Sequence, residues 1–351
     1  METAFISKLR PLLSAIAETM DVYLPRRVGE HYVCRPYDAD SPVEPELNDI
    51  RMCTPVKKFL FPPRERTAAL PEPAEPQEVK PFAVFGLKAC DLQSVSILDR
   101  VFAEEEFEDP FYVGRREKMF TIASDCSSPG ESCFCTVLGG RPHAEDGFDL
   151  NVSRVTDGYI IQSGSAQGRS FLFSHMSLFG DVPDALLKER SELREATLQQ
   201  LARAHHDLPL DAPVKEIVER GHDSEIFDEE ARTCVECQAC TRVCPTCHCF
   251  YLHDTKQADY FAKLKMWDSC MRMGYAEVAG GANPRKMLAD RLRHRFMHKF
   301  VWFLERYGVE MCVGCGRCID AETGDVDLRR VLRRLNDEFL DSGRTATEAA
   351  R

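Results

Sequence analysis

Sixteen cysteines occur in 351 residues, and ten of them fall between Cys234 and Cys318. Cys234, Cys237, Cys240 and Cys244 stand in CVECQACTRVCP at the spacing CxxCxxCxxxCP, and CVGCGRC repeats the first part as Cys312, Cys315 and Cys318. Three thiolates spaced this way in a tight loop reach three irons of one cubane, while the fourth cysteine ligates the other cluster when the motif occurs twice. Cys244 is therefore expected to complete the cluster of Cys312, Cys315 and Cys318, and two [4Fe-4S] clusters are expected. Gly314 and Gly316 suit a backbone that wraps closely around inorganic sulfide, and Pro245 ends the first loop. Structural zinc, the alternative, commonly takes two separated CxxC pairs and leaves the third cysteine of each triplet without a task.

The repeat departs from the motif where its last cysteine should fall: position 322 is Glu322, with Asp320 nearby. The candidates for the missing ligand are Cys247 and Cys249 in CPTCHCF, Cys270 in WDSC, the carboxylate of Asp320 or Glu322, or no protein ligand at all. Thiolate is the softer donor and the preferred one for iron-sulfur clusters. His248, between two cysteines, is read as a hydrogen-bond donor to sulfur rather than as a ligand.

A second set of thiols lies in the first half of the chain. Cys90 follows an apolar run that reads as a strand, Cys126 ends another, and ESCFC supplies Cys133 and Cys135. Ligands gather at the carboxyl ends of α/β strands, so these four are candidate metal ligands and suggest a third cluster; a zinc site or scattered thiols are the alternatives. Cys34 and Cys53 have no such neighbours and read as core residues.

The elements that must position these thiols divide into two regions. METAFISKLRPLLSAIAETM reads as an amphipathic surface helix, and the proline-rich stretch from Pro62 to Pro81 as an irregular connection. PFAVFGLKACDLQSVSILDRVF reads as strand, loop and helix, KMFTIASD as a buried strand, and FDLNVSRVTDGYIIQSG as two strands about an Asp157-Gly158 turn. A helix is expected around Ser191 to His206. The expectation is an α/β or α+β domain with a mixed sheet over 1–206, a linker over 207–213, and a mainly helical, ferredoxin-like dicluster domain over 214–351. VDLRRVLRRLNDEFL reads as a terminal amphipathic helix followed by a frayed tail.

Composition narrows the function classes. The net charge of −12 argues against a surface built to hold nucleic acid. Lys8, Arg10 and Glu18 break what would be the core of a signal peptide, and no run of 18 apolar residues occurs, so neither export nor a membrane span is expected. The compartment is read as reducing and cytoplasmic, where clustered thiols bind metal or do redox chemistry. No G-x-G-x-x-G follows a strand, and no Ser/His/Asp order or HExxH helix occurs, so no catalytic residue is expected in the chain itself.

The sequence resembles a family of iron-sulfur subunits that includes the A subunit of anaerobic sulfite reductase and the β subunit of soluble nickel-iron (sulf)hydrogenases. The likeness runs from about Phe82 to Asp327 and rests on LKACDLQSVSILDRVF, SDCSSPGESCFCTVLGG, CxxCxxCxxxCPTCHCF, WDSCMRMGYAEVAGGANPR, RHRFMHKF and GVEMCVGCGRC. The resemblance implies a non-catalytic electron-transfer subunit of an oxidoreductase complex. Its partners would be a flavin-containing NAD(P)-linked subunit and a catalytic subunit of hydrogenase or sulfite-reductase type. It implies Cys234, Cys237, Cys240, Cys244, Cys312, Cys315 and Cys318 as cluster ligands.

One basic segment remains. Arg285 to Arg306 carries seven Lys and Arg, and reads as a solvated helical face opposite Phe296, Phe300, Val301 and Leu304. As a docking patch it would serve the other function considered, a structural metal module that binds protein or nucleic acid. Catalysis at the cluster with the missing cysteine is a third reading. Trp267 and Trp302 read as packing residues.

Overall fold

The computed structural model of the chain describes residues 2–71, 78–205, 208, 210–256 and 260–349. The first half contains β1 (Thr3–Ile6), α1 (Leu9–Ala17), β2 (Asp21–Val28), β3 (His31–Pro36), α2 (Lys57–Leu60), β4 (Arg64–Leu70), β5 (Phe82–Leu87), α3 (Ala89–Phe102), α4 (Pro110–Lys118), β6 (Met119–Ser124), β7 (Leu150–Val155), β8 (Gly158–Ser163), α5 (Ala166–Ser174) and α6 (Asp184–Ala204). Seven strands form a mixed sheet in the order β1-β8-β7-β6-β5-β2-β3. The middle strands β2, β5, β6 and β7 are parallel, and antiparallel strands close both edges.

The central strands are covered on both faces, which is why every residue of FAVFGL in β5 and MFTIAS in β6 is buried. Phe82 and Val84 pack with Leu92, Val95 and Leu98 of α3, whereas Ala83 and Phe85 pack with Leu9, Leu12, Leu13 and Ile16 of α1. The opening segment was expected to be helix alone. Its first residues instead form β1, which pairs with β8.

The second half holds α7 (Val214–Arg220), α8 (Ile226–Ala231), α9 (Ala239–Arg242), β9 (Phe250–Lys256), β10 (Phe261–Trp267) and α10 (Leu288–Met297). A π-helical turn, His298–Trp302, joins α10 to α11 (Phe303–Tyr307); α12 (Arg317–Asp320) and α13 (Leu328–Ala349) follow. The expected mixed-sheet and helical regions are both present. The helix that ends the chain extends to Ala349 rather than fraying after Leu340.

One expectation is corrected. The proline-rich stretch is not wholly irregular, because RERTAAL between Pro63 and Pro71 contains no proline and forms β4. As an edge strand it needs to pair on one side only, and it pairs with β10 of the other half in the order β4-β10-β9. The division near 207–213, part of which lies outside the described residues, is accordingly crossed by a sheet. Lys265 of β10 strengthens the crossing: it is 4% exposed and its ammonium pairs with Glu65 of β4 at 2.8 Å and with Asp109 before α4.

Candidate metal centres

The parallel strands deliver the first group of thiols. β5 ends at Leu87 with Cys90 in the first turn of α3, and β6 ends at Ser124 two residues before Cys126. Cys90, Cys126, Cys133 and Cys135 line one cavity, together with Arg51, Lys88 and Cys315. The sequence brought the four together by strand order. It offered no sign of Cys315, which arrives from the second half.

The loop CVGCGRC is pressed against ESCFC. Gly314 lies at φ +60°, and a Cβ there would stand 2.6 Å from the Cys135 backbone; Gly316 lies at φ +72°, and a Cβ there would stand 2.4 Å from the Ser132 carbonyl. Only glycine satisfies both the left-handed backbone and the approach. The Phe134 amide donates to the Gly314 carbonyl at 2.8 Å, and the Arg51 guanidinium donates to the Cys315 carbonyl.

Cys244, Cys312, Cys315 and Cys318 line a second cavity with Thr246 and Lys299. This is the set that the motif spacing assigns. Cys315 borders both cavities.

Cys234, Cys237 and Cys240 form the third group, the first two on the loop leading into α9, where Glu236 and Gln238 take positive φ, and the third in α9 itself. The Glu322 carboxylate is among the charges acting on all three thiols. Asp320 is directed elsewhere and pairs with Arg51 at 2.6 Å. Cys249 lies beside Cys270 and Tyr275, and Cys247 lies beside Cys244. His248 does not bond sulfur; its Nδ1 donates to the Thr246 carbonyl at 3.0 Å and its ring packs on Phe102, His298 and Phe303. Cys34 is buried, but Cys53 is exposed and is no core residue. Trp267 packs as expected, with its indole N–H on the Phe61 carbonyl at 2.9 Å.

The basic segment contradicts its expected role. Arg291, Arg295 and Lys299 are each 2% exposed, so the polar stripe of α10 and the π turn faces inward. Arg291 pairs with Glu236 at 2.9 Å. Lys299 donates to Cys244 Sγ and Thr246 Oγ1 at 3.4 Å each, and Arg295 donates to the Cys240 carbonyl at 3.4 Å while its Nε has no partner. Lys57 donates to the carbonyls of Thr241 and Cys247 and lies over the Trp267 ring, and Lys88 donates to the Asn48 carbonyl, Ser124 Oγ and the Asp125 carbonyl.

These buried cations test whether the thiols suit an anionic inorganic core. A charge buried without a carboxylate partner is costly unless another negative group faces it. Arg295 faces Cys240, Cys318, Cys247 and Cys270; Lys299 faces Cys244, Cys247 and Cys312; Lys57 faces Cys247, Cys244 and Cys249; Lys88 faces Cys126 and Cys90, but also the carboxylates of Asp125 and Asp49. Burial pulls Lys57 and Lys88 below the ordinary lysine range, while the thiols hold Lys299 well above it against the pull of burial. Burial in turn pushes the thiols of Cys312 and Cys135 up to about 12 and those of Cys126 and Cys318 to about 11. Iron that displaced those protons would leave thiolate charge beside cations already in place, so the residues fit the group. Among the described residues, no three His, Cys, Asp or Glu side chains converge to hold a single ion.

Comparison with known proteins agrees with this chemistry. A family model described as a 4Fe-4S dicluster domain matches residues 233–326. Sulfhydrogenase 2 subunit beta of Pyrococcus furiosus is 33% identical over 328 residues, covering 93% of this chain and 95% of the relative. Among the described residues no helix is long and apolar enough to cross a membrane.

Proposed function

The chain belongs to the sulfhydrogenase β-subunit family, and from that membership we propose that it relays single electrons between a flavin-containing NAD(P)-linked subunit and a catalytic subunit of a cytoplasmic complex. The catalytic subunit is of hydrogenase type on the likeness to the relative, with sulfite-reductase type the other form considered. Three cluster sites make up the relay: Cys90, Cys126, Cys133 and Cys135; Cys244, Cys312, Cys315 and Cys318; and Cys234, Cys237 and Cys240. When bound, such clusters supply one-electron redox chemistry with little movement of their ligands.

One observation carries the reading: Cys315 borders both the cavity of the N-terminal thiols and that of the second motif. Gly314 and Gly316 bring the two loops into backbone contact, so that the neighbouring sites share a wall at Cys315. The buried cations offset the charge that each site gains on reduction. Cys126 also borders an open cleft walled by Arg154, Arg190 and Arg194, and on this reading a partner subunit would approach the N-terminal site there.

The test is iron, sulfide and paramagnetic resonance on the anaerobically purified complex. About twelve irons per copy of this chain are expected from three cubanes, and C126A should remove about four of them while the remaining signals still appear on dithionite reduction. Unchanged iron in C126A rules out the N-terminal site. A colourless chain without a reducible signal rules out the relay.

A further inference from the structure

We propose that the Glu322 carboxylate is the fourth ligand of the cluster gripped by Cys234, Cys237 and Cys240. The assignment rests on the reading of those cysteines as a cluster site. It identifies one iron of that cluster as oxygen-bound, in a chain whose other sites are all thiolate.

The placement follows from the backbone after α12. The Glu322 amide returns to the Ile319 carbonyl at 3.4 Å, turning the chain toward the Cys234 loop. Two residues on, Gly324 is buried so tightly that a Cβ would stand 2.3 Å from the Thr233 carbonyl and 3.0 Å from Cys234 Cα. Between them, Thr323 lies beside Cys237 and lowers its thiol pKa. Glu322 thus lies between α12 and a segment that packs directly against the loop bearing the three thiols. Its Oε2 accepts from the Val326 amide at 2.8 Å, which orients the carboxylate, and among the described residues Oε1 accepts no hydrogen bond.

The competing donors are engaged elsewhere. Asp320 pairs with Arg51 beside Cys133 and Cys315, Cys249 lies beside Cys270 and Tyr275, and Cys247 lies beside Cys244. Glu322 occupies the position where the motif repeat would place its last cysteine, and three thiols feel its charge.

The chemistry differs from that of a fourth thiolate. A hard carboxylate holds iron in a sulfide core less firmly than a soft thiolate does. Ferricyanide would take one electron from [4Fe-4S]2+ to give [4Fe-4S]3+, which releases Fe2+ and leaves [3Fe-4S]+, with charge and iron balanced. One cluster per chain should therefore lose a single iron under oxidation while the others remain intact.

The experiment uses 57Fe-enriched native complex, Mössbauer spectroscopy, and a ferricyanide titration followed by paramagnetic resonance. In the wild type one iron with non-sulfur ligation is expected, together with a three-iron signal of one spin per chain on oxidation. E322C should abolish both, and E322Q should lower the ferricyanide needed for conversion. A wild-type spectrum in which every iron of every cubane has four sulfur ligands overturns the assignment without recourse to any variant, and so does an E322C chain that still yields the three-iron signal at the wild-type level. Absence of cubanes altogether would instead fail the relay reading, so the two failures are distinguishable.

Discussion

The Lys299 ammonium donates to Cys244 Sγ at 3.4 Å from a side chain that is 2% exposed. The cation lies in a wall of the cavity formed by Cys244, Cys312, Cys315 and Cys318, and among the described residues no carboxylate is in ion-pair contact with it. A positive charge there favours the reduced, more negative state of whatever the thiols hold. K299M should lower the potential of that site by roughly 100 mV, taking a screened interaction across a few ångströms as a guide. K299R should restore most of it. Redox titration followed by paramagnetic resonance measures both, and equal potentials in K299M and the wild type would remove Lys299 from the electrostatics of the site.

Arg317 and Asp91 join the two halves at 2.7 Å and are 3% and 1% exposed. Arg317 also donates to the Met52 carbonyl at 2.7 Å, and Asp91 Oδ2 accepts from the Lys88 amide at 3.2 Å. Removing one partner of a buried pair leaves the other charge unpaired, so R317M should cost about 3–5 kcal/mol. Denaturant unfolding of the reduced, loaded chain should show the loss. A midpoint shift equivalent to less than about 1 kcal/mol would mean that the pair is solvated.

Gly314 is constrained twice, by its positive φ and by the Cys135 backbone. G314A must either strain the loop or separate the two cysteine loops, at about 1–3 kcal/mol. Because Cys315 lines both cavities, iron should fall at those sites first, with the Cys234–Cys240 site retained. Iron analysis with paramagnetic resonance distinguishes this pattern from uniform loss.

The stability of the helix over the thiols should depend on pH through His298. Burial, and then His248, Lys299 and His294, lower its pKa to about 3. The unfolded chain binds a proton near pH 6.5 and the folded chain does not, so stability is full above that pH and falls as pH drops from 6.5 toward 3. At pH 5.5 the loss from this imidazole should be ~1 kcal/mol relative to pH 7.5. H298F should flatten the dependence in anaerobic thermal melts over that window, and a slope equal to wild type would show that His298 is protonated in the fold.

The dicluster region was legible in the sequence because its information is local. Three cysteines at three-residue spacing define one loop whatever surrounds it, and the exchange of Cys244 into the second set follows from the same spacing. Cys90 and Cys126 were placed together because apolar runs mark parallel strands and their ends share a rim. The tertiary structure alone decided what the polar residues face. Arg291, Arg295 and Lys299 recur every fourth residue, the pattern of a polar helical stripe, and periodicity cannot distinguish water from thiols as the neighbour of such a stripe. The same holds for β4, whose partner lies nearly two hundred residues away, and for Cys315, whose second cavity exists only because glycines let distant loops touch. Spacing along the chain determined which residues share a loop; long-range packing determined which loops share a wall, because that depends on contacts between segments whose separation no local pattern encodes.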